Sequence, residues 1–137
     1  GKVSIIVTDD TERRIADYSS NHRSHNIETS LDTVLRVLSN QTRRFALYAL
    51  QDLANGVVEL KELVDEVATL TVGLTDHSFT RDRYVDIASD LYFWHLPVLA
   101  DVGVVDYDVR QHTIRYLSSP KLEKWVERVR VEELRDG

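Results

Sequence analysis

The sequence predicts a mainly α-helical domain that carries one small β-hairpin and ends on an added helix. Apolar residues recur at helical spacing along most of residues 31 to 102, as in Leu31, Val34, Leu35 and Leu38. Two β-prone runs flank a polar turn between Val104 and Leu117. Beyond them, Ser119-Pro120 sets proline at a first helical position ahead of Leu122, Trp125, Val126 and Val129.

Residues 1–30 read as an N-terminal arm, polar and aperiodic from residue 8, with Val3 to Val7 able to pair as a short strand. Thr29 with Asp32 forms a capping-box pattern that opens the first helix, whose apolar face is the Leu31 stripe. Ser39-Asn40 interrupts it and caps a second helix, with Ala46, Ala49, Leu50 and Leu53 inward and Asn55-Gly56 as its stop. Val57-Val58 is a short extended link. Leu60, Leu63, Val64 and Val67 make a third helix, and Thr71 to Asp82, with Gly73, reads as a loop. A fourth helix is expected from about Arg83 to Val102, with Leu91, His95, Val98 and Val102 on one stripe. Pro97 cannot donate to the Phe93 carbonyl, so a kink or a helix start is expected there. Gly103 ends it, the hairpin follows, and residues 118–137 form the terminal amphipathic helix.

The 137 residues, 42% hydrophobic and 29% charged, match one globular domain with one core. No window approaches the roughly 20 apolar residues of a membrane span, and the opening apolar run is too short for a secretion signal, so a cytoplasmic protein is expected. The absence of cysteine excludes disulfides, thiol nucleophiles and thiolate zinc sites. His22 and His25 lack a third ligand in the arm, so no metal and no cofactor is expected. A formal charge of -6 argues against a nonspecific nucleic-acid coat and leaves room for a local basic patch.

Two stretches carry a family likeness. Leu38-Ser39-Asn40-Gln41-Thr42-Arg43-Arg44-Phe45-Ala46-Leu47 resembles the Leu-Ser-Asn-x-x-Arg-Arg opening of the second helix in winged helix-turn-helix repressors of the arsenic-responsive type. His95-Leu96-Pro97-Val98-Leu99-Ala100-Asp101-Val102-Gly103-Val104-Val105-Asp106-Tyr107 resembles the end of a recognition helix running into its wing. Small winged-helix domains abundant in salt-loving archaea are similar, and the likeness spans about residues 31–117. It implies a winged helix-turn-helix with Leu60 to Ala68 as the first helix of the motif, Ser89 to Val102 as the recognition helix and Arg110 to Arg115 as the wing tip. It further implies a homodimeric, archaeal DNA-binding transcription regulator. In such a protein Arg43, Arg44, Arg110 and Arg115 meet phosphates, and Ser89, Asp90, Phe93 and Trp94 face the groove of duplex DNA.

The residues also support a second reading. From Val85 through Val109 there are five aspartates and no lysine or arginine, whereas a base-reading helix usually exposes Arg, Lys, Asn or Gln. Successive helical residues diverge by about 100°, so Tyr92, Phe93 and Trp94 cannot all point inward, and an exposed aromatic suits a protein partner. The alternative function is therefore a winged-helix protein–protein interaction module that does not bind DNA on its own. His95 reads as a hydrogen-bonded core histidine, and Asp82, Asp86 and Asp90 as a solvated acidic face. Leu122, Trp125, Val126 and Val129 are the expected dimer contact, because a terminal amphipathic helix with a tryptophan suits pairing with its copy. No motif brings a nucleophile, base and orienting group together, so an enzyme is not expected.

Overall fold

The structure, a computed structural model, describes residues 30–53, 56–75, 79–117 and 119–135. The expected arm of residues 1–30, with its Val3 to Val7 strand and with His22 and His25, lies outside the described residues apart from Ser30. Helix α1 spans Leu31–Val37, and its cap is Ser30, whose hydroxyl accepts from the Thr33 N–H at 3.1 Å. That is one residue later than the Thr29 start expected from sequence. The buried face is Val34, Val37 and Leu38, while Leu31 and Leu35 face outward, so the expected stripe is turned by one residue along the helix.

Helix α2 (Gln41–Leu53) starts as expected, the Asn40 side-chain oxygen accepting from the Arg43 N–H at 3.1 Å. Every residue from Phe45 to Leu50 is buried, which marks α2 as the central helix. Strand β1 (Val57–Glu59) follows, then α3 (Leu60–Thr75). The loop expected from Thr71 is thus helical as far as Thr75. Thr71 fits there because its hydroxyl donates to the Val67 carbonyl at 2.8 Å, satisfying a polar group inside a helix.

Helix α4 (Arg81–Asp90) is capped by the Thr80 hydroxyl, which accepts from the Arg83 N–H at 3.1 Å. It runs without a break into a π turn (Leu91–His95) and α5 (Leu96–Asp101). The fourth helix is therefore present, and the irregularity that Pro97 demands takes the form of the π turn just before it. There the Leu96 N–H reaches back five residues to the Leu91 carbonyl, and Pro97 sits in the first turn of α5, where a missing N–H costs little.

Gly103, at φ +82°, ends α5. The Val104 N–H bonds the Leu99 carbonyl at 2.8 Å and the Gly103 N–H the Ala100 carbonyl at 3.1 Å, the paired bonds of a Schellman motif. Strands β2 (Val105–Asp108) and β3 (Thr113–Tyr116) then form the expected hairpin. β1, read from sequence only as a link, pairs antiparallel with β3 to give a three-stranded sheet of order β1-β3-β2, with Val58 opposite Ile114 and Tyr107 opposite Ile114 on the other side.

Helix α6 (Pro120–Leu134) is capped by Ser119, whose hydroxyl accepts from the Leu122 N–H. Leu122 and Val126 are fully buried in the same core as α2 and the sheet, and Trp125 and Val129 pack partly against it. Of the expected dimer contact, Leu122 and Val126 are used in the chain's own core and offer nothing to a second subunit, while Trp125 and Val129 are only partly covered. The mainly α fold with a small sheet and a C-terminal helix is as expected. No helix among the described residues is long and apolar enough to cross a membrane.

Candidate partner interface

Two of the four arginines expected on phosphates, Arg43 and Arg44, are used inside the protein. Arg43 is only 5% exposed. Its Nε donates to the Val37 carbonyl at 2.9 Å, and its Nη2 donates to the Arg36 carbonyl at 2.8 Å and the Ser39 hydroxyl at 3.3 Å. The guanidinium therefore caps the C-terminal carbonyls of α1 and holds the α1–α2 joint, a use a helix C-terminus favours. Burial, then the neighbouring Arg36 cation, lower its pKa.

Arg44 grips Glu133 of α6 with two bonds of 2.8 Å, Nε to Oε1 and Nη2 to Oε2, and donates from Nη1 to the Leu38 carbonyl at 2.7 Å. Tyr48 donates its hydroxyl to Glu133 Oε1 at 2.8 Å. Burial pushes the Glu133 pKa up, but the bonds from Arg44, Tyr48 and Gln41 outweigh it and the net shift is downward. The bond to Glu133 raises Arg44 in turn. A bidentate, partly buried pair of this kind is worth more than a surface ion pair, and it ties α6 to the start of α2.

The remaining expected contacts lie on the surface. Ser89, Asp90, Phe93 and Trp94 are all exposed on the α4–π-turn segment, Phe93 at 74% and Trp94 at 51%. Arg110, in the hairpin turn, and Arg115, on β3, are exposed as well. Tyr92 joins the two regions: its ring packs edge-on against Phe93 (4.7 Å between centroids) and Tyr107 of β2 (6.1 Å), and lies 6.0 Å from His112 of the hairpin turn. An aromatic cluster thus sets the π turn beside the hairpin, with Phe93 as its outermost ring.

The fourth helix, expected from about Arg83, begins at Arg81, and neither Arg81 nor Arg83, both exposed in its first turn, was among the expected site residues. The signal was present: Thr80 is a good N-cap residue. Sequence reasoning also missed the role of Glu133, which has no local signature, because its partners are far away in sequence. Along the helix Asp82, Asp86 and Asp90 recur every four residues and all are exposed, giving an acidic row that leads to Trp94. Among the described residues no group of three His, Asp or Glu side chains is placed to hold a metal ion.

No curated protein and no solved structure matches this chain. One family model, described as a domain of unknown function (DUF7344), matches residues 35–115, from the end of α1 through the sheet. That is more than half of the chain, and the protein belongs to this family.

Proposed function

We propose that this protein is a protein-docking module on a winged-helix scaffold, and that its contact surface is the Phe93–Trp94 pair with the acidic row of α4. The winged-helix part of this reading is supported by the order α2, β1, α3, α4 to α5, β2, β3, which is the plan the sequence likeness implies. The observation that carries the docking part is the exposure of two adjacent large aromatic side chains on a helical segment, while Arg43 and Arg44 are tied to the protein's own carbonyls and to Glu133. Large exposed aromatics are costly in water and are enriched where partners bind.

The partner's chemistry follows from the charges. Asp82, Asp86 and Asp90 repel phosphate and attract lysine and arginine, so the surface suits a protein segment that carries basic residues around an apolar or cationic knob seated on Trp94 and Phe93. A truncated hot-spot aromatic costs about 2 kcal/mol, roughly a thirtyfold loss of affinity.

A second reading, DNA binding, is favoured by Arg81 and Arg83 at the N-terminal end of α4, the part of a recognition helix that reaches base edges, and by Arg110 and Arg115. One pair of measurements separates the two. Immobilised wild type and its Phe93→Ala and Trp94→Ala variants are compared for the proteins they retain from an extract of the source cells, with Leu35→Ser as an exposed apolar control. Wild type is also titrated with genomic fragments at about 50 and 200 mM salt. The docking reading expects one protein lost with both aromatic variants and kept by the control, and no fragment binding. Fragment binding that weakens with salt and with Arg81→Ala or Arg110→Ala overturns it.

A further inference from the structure

His95 closes the π turn and is only 1% exposed, yet it is polar and directly follows the exposed Trp94. Its imidazole is stacked on the Trp94 indole, with ring centroids 4.5 Å apart and planes 24° from parallel. At the edge of the same imidazole, Nδ1 lies 3.3 Å from Arg43 Nη1. A guanidinium has no acceptor atom, so this contact requires a lone pair on Nδ1 and puts the imidazole proton on Nε2. The same guanidinium lies 6.0 Å from the centroid of the Trp94 ring. Arg43 is in turn fixed by the Val37 and Arg36 carbonyls and the Ser39 hydroxyl. A rigid chain of contacts therefore runs from the α1–α2 joint through Arg43 and His95 to a tryptophan half out in solvent.

We propose that Arg43 and His95 are positioning residues for the docking surface: touching no partner themselves, they hold Trp94 in one orientation, with its outer face free. The inference rests on the docking reading for its purpose and on the Arg43–His95–Trp94 geometry for its content. A free indole on a helix samples several rotamers, and ordering it only upon binding weakens the affinity. A stacked imidazole that cannot move, because a buried arginine grips it, removes that loss in advance. It also explains why a buried arginine and a buried histidine are kept together where two apolar side chains would pack at less risk.

The test reads Trp94 alone, in a Trp125→Phe background, by near-ultraviolet circular dichroism and by acrylamide quenching of its fluorescence. His95→Leu and Arg43→Gln should each reduce the tryptophan dichroism by about half and raise quenching, as a ring released to several rotamers does. His95→Phe, which restores an aromatic platform without the bond to Arg43, should return only part of the signal lost in the Leu variant. Unchanged dichroism and quenching in His95→Leu with far-ultraviolet helicity intact overturns the proposal. Should the variants unfold, nitrogen NMR of the wild type decides. An unprotonated Nδ1 and cross-relaxation between indole and imidazole protons support the proposal, and a proton on Nδ1 or no cross-relaxation refutes it. None of these readouts involves a partner, so failure here leaves docking untouched. Docking fails separately, if Phe93→Ala retains every protein that wild type retains.

Discussion

Acidification from pH 7 to about 4.5 should cost this fold about 2 kcal/mol through His95 alone. Burial, and then the Arg43 cation beside it, disfavour the imidazolium and lower the His95 pKa from 6.5 to about 4, against a smaller opposite pull from Asp90. The unfolded chain takes up this proton near its ordinary pKa and the native protein only near pH 4, so between the two values the unfolded state binds more protons. Stability therefore falls as the pH falls through that interval. At about 1.4 kcal/mol per pH unit, two units below the unfolded value give roughly 2 kcal/mol after rounding at the shoulder. The carboxylates held low by their partners, Glu133 and Asp65, act in a different window: their contribution is present above the ordinary carboxylate range and is lost only as the pH falls through their lowered native values. Urea unfolding followed by circular dichroism between pH 7 and 4.5, on wild type and His95→Gln, isolates the effect. Glutamine still offers Arg43 an acceptor and does not titrate. The wild type should lose stability over this range and the variant should lose about 2 kcal/mol less. Parallel curves for the two proteins would refute the reasoning.

Four further outcomes follow from the geometry. Glu133→Ala removes the acceptor of Arg44 and Tyr48 together and should lower unfolding free energy by about 2 kcal/mol in urea titration, with Glu133→Gln recovering part of it. Gly103→Ala should cost about 1–2 kcal/mol by the same assay, since φ +82° is strained for any residue with a Cβ and the Schellman bonds keep the backbone there. Phe93→Ala should shift thermal unfolding by no more than about 0.5 kcal/mol, as a side chain that is 74% exposed supports little of the core. Trp125→Ala should lower stability by about 2 kcal/mol and leave the molar mass by light scattering unchanged, because the α6 stripe faces its own core; a fall in mass would restore α6 as a subunit contact.

Phe93 and Trp94 show how far the site was legible. That successive residues diverge by about 100° was enough to require an exposed aromatic among Tyr92, Phe93 and Trp94. Which one turned inward was not contained in that argument: Tyr92 does, because Tyr107 and His112 offer it ring faces. Arg43 and Arg44 show the opposite case. Two adjacent arginines on a helix look alike in sequence, and their roles depend on Leu38, Val37 and Arg36 carbonyls left open at a helix end and on a carboxylate 89 residues away.

The sequence by itself determined the elements whose causes are local. Asn40 and Ser119 cap the helices that follow them, Gly103 stops α5 where a positive φ is needed, and the apolar period marks α2 and α6, because each of these interactions joins residues within about six positions of one another. Only the tertiary structure decided the rest. Val57–Glu59 is a strand because β3 supplies its hydrogen bonds, and the irregularity ahead of Pro97 took the form of a π turn leading straight into the start of α5 because Leu91, His95 and Leu96 are all buried in one continuous segment. The stripe of α6 went to its own core because α2 and the sheet left room for Leu122 and Val126. For the strand and the α6 stripe the deciding partner lies dozens of residues away, and in every case burial, which no local pattern records, selects among conformations that local preferences leave close in energy.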